Sequence, residues 1–266
     1  MLNYYGIVGG YMRDILEYVR SERKIKILLG IYMITMSIYM FLRCRTGFYY
    51  GYVEYCLSDM YISASRSIPH VQMPIFMFIC TCIIKDEYRA AVLLNLDSIK
   101  NFWNRLFKKI LVFAAFLTIY DYIMVTVIGL QYAQFECNWN LPGCYACQSL
   151  GAVPWVITDT RIIMLLYVIL DLIMLLTTGM IIIISWWIFN GPIVGVMLII
   201  VDIAEELCMS PPAFEIYYAK MIMSEYQIYH GVTFQDNLMY PLLVCIGMYL
   251  VGLAVYTFWR KDWLGS

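Results

Sequence analysis

The sequence predicts an all-α polytopic membrane protein, a single transmembrane domain over residues 1–266. It is expected to hold six transmembrane helices, an N-terminal interfacial helix, a cytoplasmic helix after the second span and short external helices before the last. Three observations carry this reading. Hydrophobic residues make up 62% of the 266 and charged residues 14%, against roughly 25% charged in a soluble domain. An apolar run of about 20 residues crosses about 30 Å of hydrocarbon, and six stretches reach or approach that length: 26–42, 68–84, 106–130, 162–189, 193–207 and 238–259. The second and fifth are short, and the fourth is too long to lie straight, so it should tilt or protrude.

The third observation is where the basic residues fall, because loops rich in Lys and Arg stay in the cytoplasm. Arg13, Arg20, Arg23, Lys24 and Lys26 precede the first span; Lys85, Arg89, Lys100, Arg105, Lys108 and Lys109 lie between the second and third; Arg260 and Lys261 follow the last. All three groups share one side only with six spans and both termini cytoplasmic. Segments 44–67, 131–161 and 208–237 are then external. Trp103, Trp186, Trp187, Trp259 and Trp263 are expected at the inner interface and Trp155 at the outer one, as aromatic belts are. A net charge of -1 gives no reason to expect a nucleic-acid partner. The first 25 residues lack the apolar core of a cleavable signal, so the first span is expected to serve as the insertion signal.

Taken in chain order, Met12, Ile15, Leu16 and Val19 recur at helical spacing opposite Arg13, Asp14, Glu17 and Arg20, the pattern of a helix lying flat in the interface. The charged segment 85–109 repeats that periodicity with Val92, Leu93, Leu96 and Ile99. Asp97-Ser98 can cap a second helix that carries Phe102, Trp103 and Leu106 into the third span, giving helix, break, helix on the cytoplasmic face. Asn190-Gly191-Pro192 is a strong turn signal between spans four and five. Pro211-Pro212 breaks the chain after the fifth span, and 213–229, rich in Tyr and Met, reads as short external helices.

With these parts in place the chain resembles a permease subunit of the type-2 ABC transporter family. That family implies an interfacial helix, six spans, a coupling helix between spans two and three, a tight turn between spans four and five, and external helices before span six. Here those parts are 10–24, 87–96, 190–192 and 213–229. Glu87, followed by Lys108 or Lys109, matches the family's acidic and basic positions, while Ala90-Ala91 replaces its Gly and Lys100 its Arg. Thr177, Gly179 and Ser185 resemble the small-residue end of its fourth span.

The resemblance implies a non-enzymatic permease that works as a dimer, with ATP and Mg held by a separate P-loop ATPase subunit. The substrate would be a small hydrophobic molecule, peptide or bacteriocin-like compound moved outward through the cell membrane. The chain contains no G-x-x-x-x-G-K-[ST], so it has no phosphate-cradling loop of its own. Segment 85–105 is the expected coupling segment, with Glu87 and Arg89 making polar contacts to the ATPase and Val92, Leu93 and Leu96 filling its groove. A helix that touches only lipid headgroups is the alternative for this segment.

Asp121 and Asp171 lie about nine residues from the outer ends of spans three and four, so both sit about 14 Å below the outer boundary. If they face one another they share a proton, since two like charges in low dielectric do not both ionise. Asp202, Glu205 and Glu206 extend the acidic trend at the outer end of span five. One reading is an acid-lined translocation path through Asp121, Asp171 and Asp202 for a cationic or amphiphilic substrate. The other is that each carboxyl bonds a neighbouring Thr or Tyr and fixes helix packing.

Of nine cysteines, Cys56, Cys137, Cys144 and Cys147 are expected outside the membrane. Cys137, Cys144 and Cys147 are too few for the four ligands of a structural zinc site, so no metal is expected and a disulfide fits better. Its connectivity, with Cys56 or Cys208 also in reach, is open. His70 and His230 both fall on the outer side, which argues against buried haem. Glu205-Glu206 lacks the following Arg and the intraspan histidines of a CAAX-type protease. Two rivals remain: a membrane thiol-disulfide oxidoreductase using Cys144 and Cys147, and a non-catalytic scaffold that binds a partner through 85–109.

Overall fold

A computed structural model describes residues 18–20, 22–49, 55–65, 71–94, 99–139, 141, 144, 159–189, 191, 193, 196–197, 200 and 234–258. Side chains are described throughout these except at 43–49, 62–63, 65, 89–94, 99–100, 234–237 and 240. The described residues form helices and no strand: α1 (Arg23–Tyr49), α2 (Leu57–Ser65), α3 (Met73–Leu94), α4 (Ile99–Tyr132), α5 (Thr160–Phe189) and α6 (Phe234–Phe258). A single backbone bridge joins Cys56 to Gln134.

Among the described residues, four helical segments are long and apolar enough to cross a membrane: Arg23–Leu42, Asn101–Tyr132, Thr160–Phe189 and Pro241–Phe258. They correspond to the first, third, fourth and sixth expected spans. The second expected span is a helix, but Lys85, Asp86 and Glu87 directly follow Ile84. Its apolar part, Met73–Ile84, is about 18 Å long, well short of the hydrocarbon core. Of the fifth, only positions 193, 196, 197 and 200 are described, all helical. Most of the expected interfacial helix, Leu96, Asp97-Ser98, Asp202, Cys147 and the external helices at 213–229 lie outside the described residues.

The most apolar helix is the central one. α5 packs against α2, α3, α4 and α6, and 83% of its spanning window is buried, against 22% for α1 and 17% for α6. Those two outer helices leave broad apolar faces exposed, with Ile34, Leu243 and Leu250 among the residues concerned. Asp159 starts α5 by accepting the Arg161 N–H at 2.9 Å, the arrangement of an N-cap. Inside α5, Thr177 and Thr178 donate to the carbonyls of Ile173 and Met174. α5 ends at Phe189, immediately before the expected turn.

Glycines set the close helix crossings, as small residues do in membrane bundles. A Cβ on Gly129 would meet Leu57 at 2.6 Å, and one on Gly179 would meet Ile110 at 2.6 Å. The tightest approach is α6 on α4, where a Cβ on Gly252 would lie 2.1 Å from the Trp103 ring. That ring packs 5.1 Å from Tyr256, which stacks on Trp187 at 4.1 Å. The expected interfacial belt is therefore corrected at two positions: Trp103 and Trp187 are wholly buried in this aromatic cluster. Gly252 leaves the room that lets Trp103 turn inward. Gly252→Ala should lower stability by about 1–3 kcal/mol through overpacking, read as a lower thermal midpoint in detergent. An unchanged midpoint would mean that the indole can swing aside.

The segment expected to be external, 44–67, is partly helical. α1 continues through Tyr49, and α2 buries Leu57, Met60, Tyr61 and Ala64 against the ends of α4 and α5.

Candidate functional site

Two apolar cores divide the bundle, and a polar layer lies where they meet. One contains Tyr32, Phe76, Leu117 and Ile173; the other contains Met60, Val125, Tyr167 and Leu170. Asp171 falls between Leu170 and Ile173, and Asp121 between Leu117 and Val125. The depth match expected from sequence thus becomes a contact. Gln72, in the wide helical turn leading into α3, donates its amide nitrogen to Asp121 Oδ2 at 2.9 Å and to Asp171 Oδ2 at 3.1 Å. A single side-chain nitrogen bridges the two carboxyls.

Thr118 donates to Asp171 Oδ2 at 2.6 Å, and Tyr32 donates to Asp121 Oδ2. Asp121, Gln72 and Tyr32 are fully buried, and Asp171 and Thr118 nearly so. Every donor converges on an Oδ2 atom. Asp121 Oδ1, Asp171 Oδ1, Gln72 Oε1 and the Tyr167 hydroxyl are buried with no hydrogen-bond partner among the described residues. The donors are neutral, so no contact in the described set balances a carboxylate charge. Such a charge in an apolar interior costs several kcal/mol, and this layer is therefore suited to take up a proton or a cationic group. Neither aspartate belongs to the lining of the open groove of about 600 Å³ between α4 and α5, which is bounded by Ile119, Tyr122, Thr126, Phe135 and Arg161 among others. The acid pair is closed off in this conformation.

Sequence singled out Asp121 and Asp171 but passed over Gln72 and Tyr32. Nothing marks Tyr32 among 24 tyrosines, and Gln72 stands at the edge of a short apolar run where a polar residue is ordinary.

The second candidate region is the charged collar at the foot of α3 and α4. α3 runs unbroken from the apolar Ile84 to Leu94, and α4 begins at Ile99; the expected break at 97–98 lies outside the described residues. Glu87 turns toward its own chain. Its carboxylate lies 2.7 Å from Arg105 Nε and 2.5 Å from Lys109 Nζ, and the residue is 5% exposed. Tyr18 completes the collar, donating to Asp86 Oδ2 at 2.7 Å while Lys109 sits 4.1 Å over its ring. Arg89, Val92 and Leu93 lie on the helical extension beyond Glu87; only their backbone is described.

On the far side, Cys56 and Cys144 are buried and Cys137 is half-buried. No group of three or more His, Cys, Asp or Glu suited to a metal ion occurs among the described residues. In comparisons with known proteins, the chain matches no protein-family model, no curated protein and no solved structure.

Proposed function

We propose that this chain is the membrane permease subunit of an ATP-driven exporter, with Asp121 and Asp171 on the path of a cationic or amphiphilic substrate. The observation that carries the reading is the bridged aspartate pair, whose contacts supply donors but no counter-charge. A purely structural polar layer has no need of two carboxyls where one amide or hydroxyl would serve. Substrate access requires the spans to rearrange, because the pair is buried here, and rigid-body movement of helices is the ordinary means.

The drive would come from a separate P-loop ATPase that docks on segment 85–105 in the cytoplasm. The helical extension from Lys85 to Leu94 supports this, since a simple turn between two helices does not need it. In this arrangement Glu87 stiffens the docking element through Arg105 and Lys109, while Arg89, Val92, Leu93 and Leu96 meet the ATPase. Asp202 would extend the path outward. Both termini lie in the cytoplasm, the protein sits in the cell membrane, and a second permease copy or homologue completes the transporter.

The test uses inside-out membrane vesicles from the native host, with tetraphenylphosphonium as the amphiphilic cation. Vesicles containing the chain should accumulate it when ATP is added, and vesicles from a deletion strain should accumulate less. Equal ATP-dependent accumulation in the two would overturn the reading for this class of substrate.

A further inference from the structure

We infer that Cys56 and Cys137 are the two halves of a disulfide that forms by thiol–disulfide exchange and fastens α2 to the segment after α4. This is independent of the transport reading. The backbones on either side are already joined: the Leu57 N–H donates to the Gln134 carbonyl at 2.8 Å, and the Gln134 N–H donates to the Tyr55 carbonyl at 3.3 Å. Asp59 clamps both strands of this junction. Its Oδ2 accepts from the Cys56 N–H at 3.0 Å and from the Cys56 thiol at 3.2 Å, and its Oδ1 accepts from the Trp139 indole at 2.8 Å. Gly129 lets Leu57 settle directly on α4. Within that frame Cys137 follows three residues after Gln134, the bridge partner of Cys56, and the two thiols are close enough to shift one another's titration, so little chain movement separates them from the short Cβ–Cβ distance a disulfide needs.

The competing connectivity within the loop is disfavoured by what Cys144 does. Its thiol is buried and donates to the Trp139 carbonyl at 3.7 Å. Cys147 lies outside the described residues.

The roles of the two sulfurs differ. The neighbouring Cys56 side chain holds the Cys137 thiol below its ordinary range, outweighing the opposing effect of burial. The Cys56 thiol, whose proton is donated to Asp59, is held above its ordinary range by the neighbouring Cys137 side chain, by burial and by the Asp59 charge. Cys137 is also the more accessible, and the thiolate is the attacking form. The oxidant is a low-molecular-weight disulfide. Cys137 sulfur attacks one of its sulfurs, the S–S bond breaks and one thiolate leaves. Cys56 sulfur then attacks Cys137 sulfur in the mixed disulfide, forming the Cys56–Cys137 bond and expelling the second thiolate. The two protons lost by the cysteines end on the two released thiols, and one disulfide is reduced for each one formed.

The full chain, purified in detergent and reduced, would be incubated with oxidised glutathione, blocked with N-ethylmaleimide and mapped by peptide mass spectrometry without reductant. The expected result is one cross-linked peptide pair containing Cys56 and Cys137, with maleimide labelling of both reduced to background. Cys137 joined to Cys144 or Cys147 would overturn the assignment. So would Cys56 and Cys137 both recovered as maleimide or glutathione adducts.

Discussion

Asp121→Asn and Asp171→Asn are each expected to cut export at least roughly tenfold, equivalent to about 1.4 kcal/mol of lost stabilisation in the rate-limiting step. The amount of protein in the membrane should be unchanged. Asparagine keeps an oxygen that can accept from Thr118 and Gln72 at position 171, or from Tyr32 and Gln72 at position 121. The hydrogen-bonded layer therefore survives, and only the capacity to carry negative charge is removed. That is why these variants separate the two roles. If the aspartates merely fix helix packing, the asparagine variants will export normally, while a leucine at either site would strand Gln72 and lower stability. Efflux of a panel of amphiphilic cations from whole cells, normalised to the membrane content of the chain, is the measurement.

Glu87→Ala should destabilise the protein by about 2–4 kcal/mol. Removing one partner of a buried ion pair costs about 3–5 kcal/mol because a charge is left unbalanced. Here two cations are left facing each other, but the Arg105 side chain is 32% exposed, which lets water screen part of the loss. Glu87→Gln, which retains an acceptor, should lose less. The double variant Glu87→Ala/Arg105→Ala should recover part of the loss, as coupled residues do. Thermal unfolding in detergent provides the readout. An unchanged midpoint in Glu87→Ala would return Glu87 to the role first expected of it, a surface contact for the ATPase.

The helices that sequence located best are those whose apolar runs exceed the bilayer, because length alone decides them. Span 162–189 and helix Thr160–Phe189 nearly coincide. Span 68–84 was harder: charge arrives at Lys85 without a turn signal, so one helix that is apolar at one end and polar at the other reads as a short span followed by a separate cytoplasmic helix. Asp121 and Asp171 were legible because an acid within a long apolar run stands out, and matching depth is computable from helical rise. Their bridge, Gln72, was not, because contact between three helices has no trace in linear spacing. Trp103 and Trp187 were misplaced for a related reason. A tryptophan at a helix end satisfies an interface or an aromatic core equally well, and only Gly252 on another helix selects the core. Glu87 carried the right charge for docking and for an internal ion pair, and Lys109, almost a full span-length turn of chain away, could not be chosen over a partner protein by sequence alone.

The most direct measurement of the central claim is purification of the tagged chain from its native host in mild detergent, with mass spectrometry of what accompanies it. A P-loop ATPase at stoichiometric level is the predicted companion. It should be lost when Leu93 is changed to glutamate and retained in Asp171→Asn, since only the first lies on the proposed docking helix. A preparation without an ATPase, carrying quinone and a reducible Cys144–Cys147 pair instead, would contradict the account and make the chain a thiol-disulfide oxidoreductase.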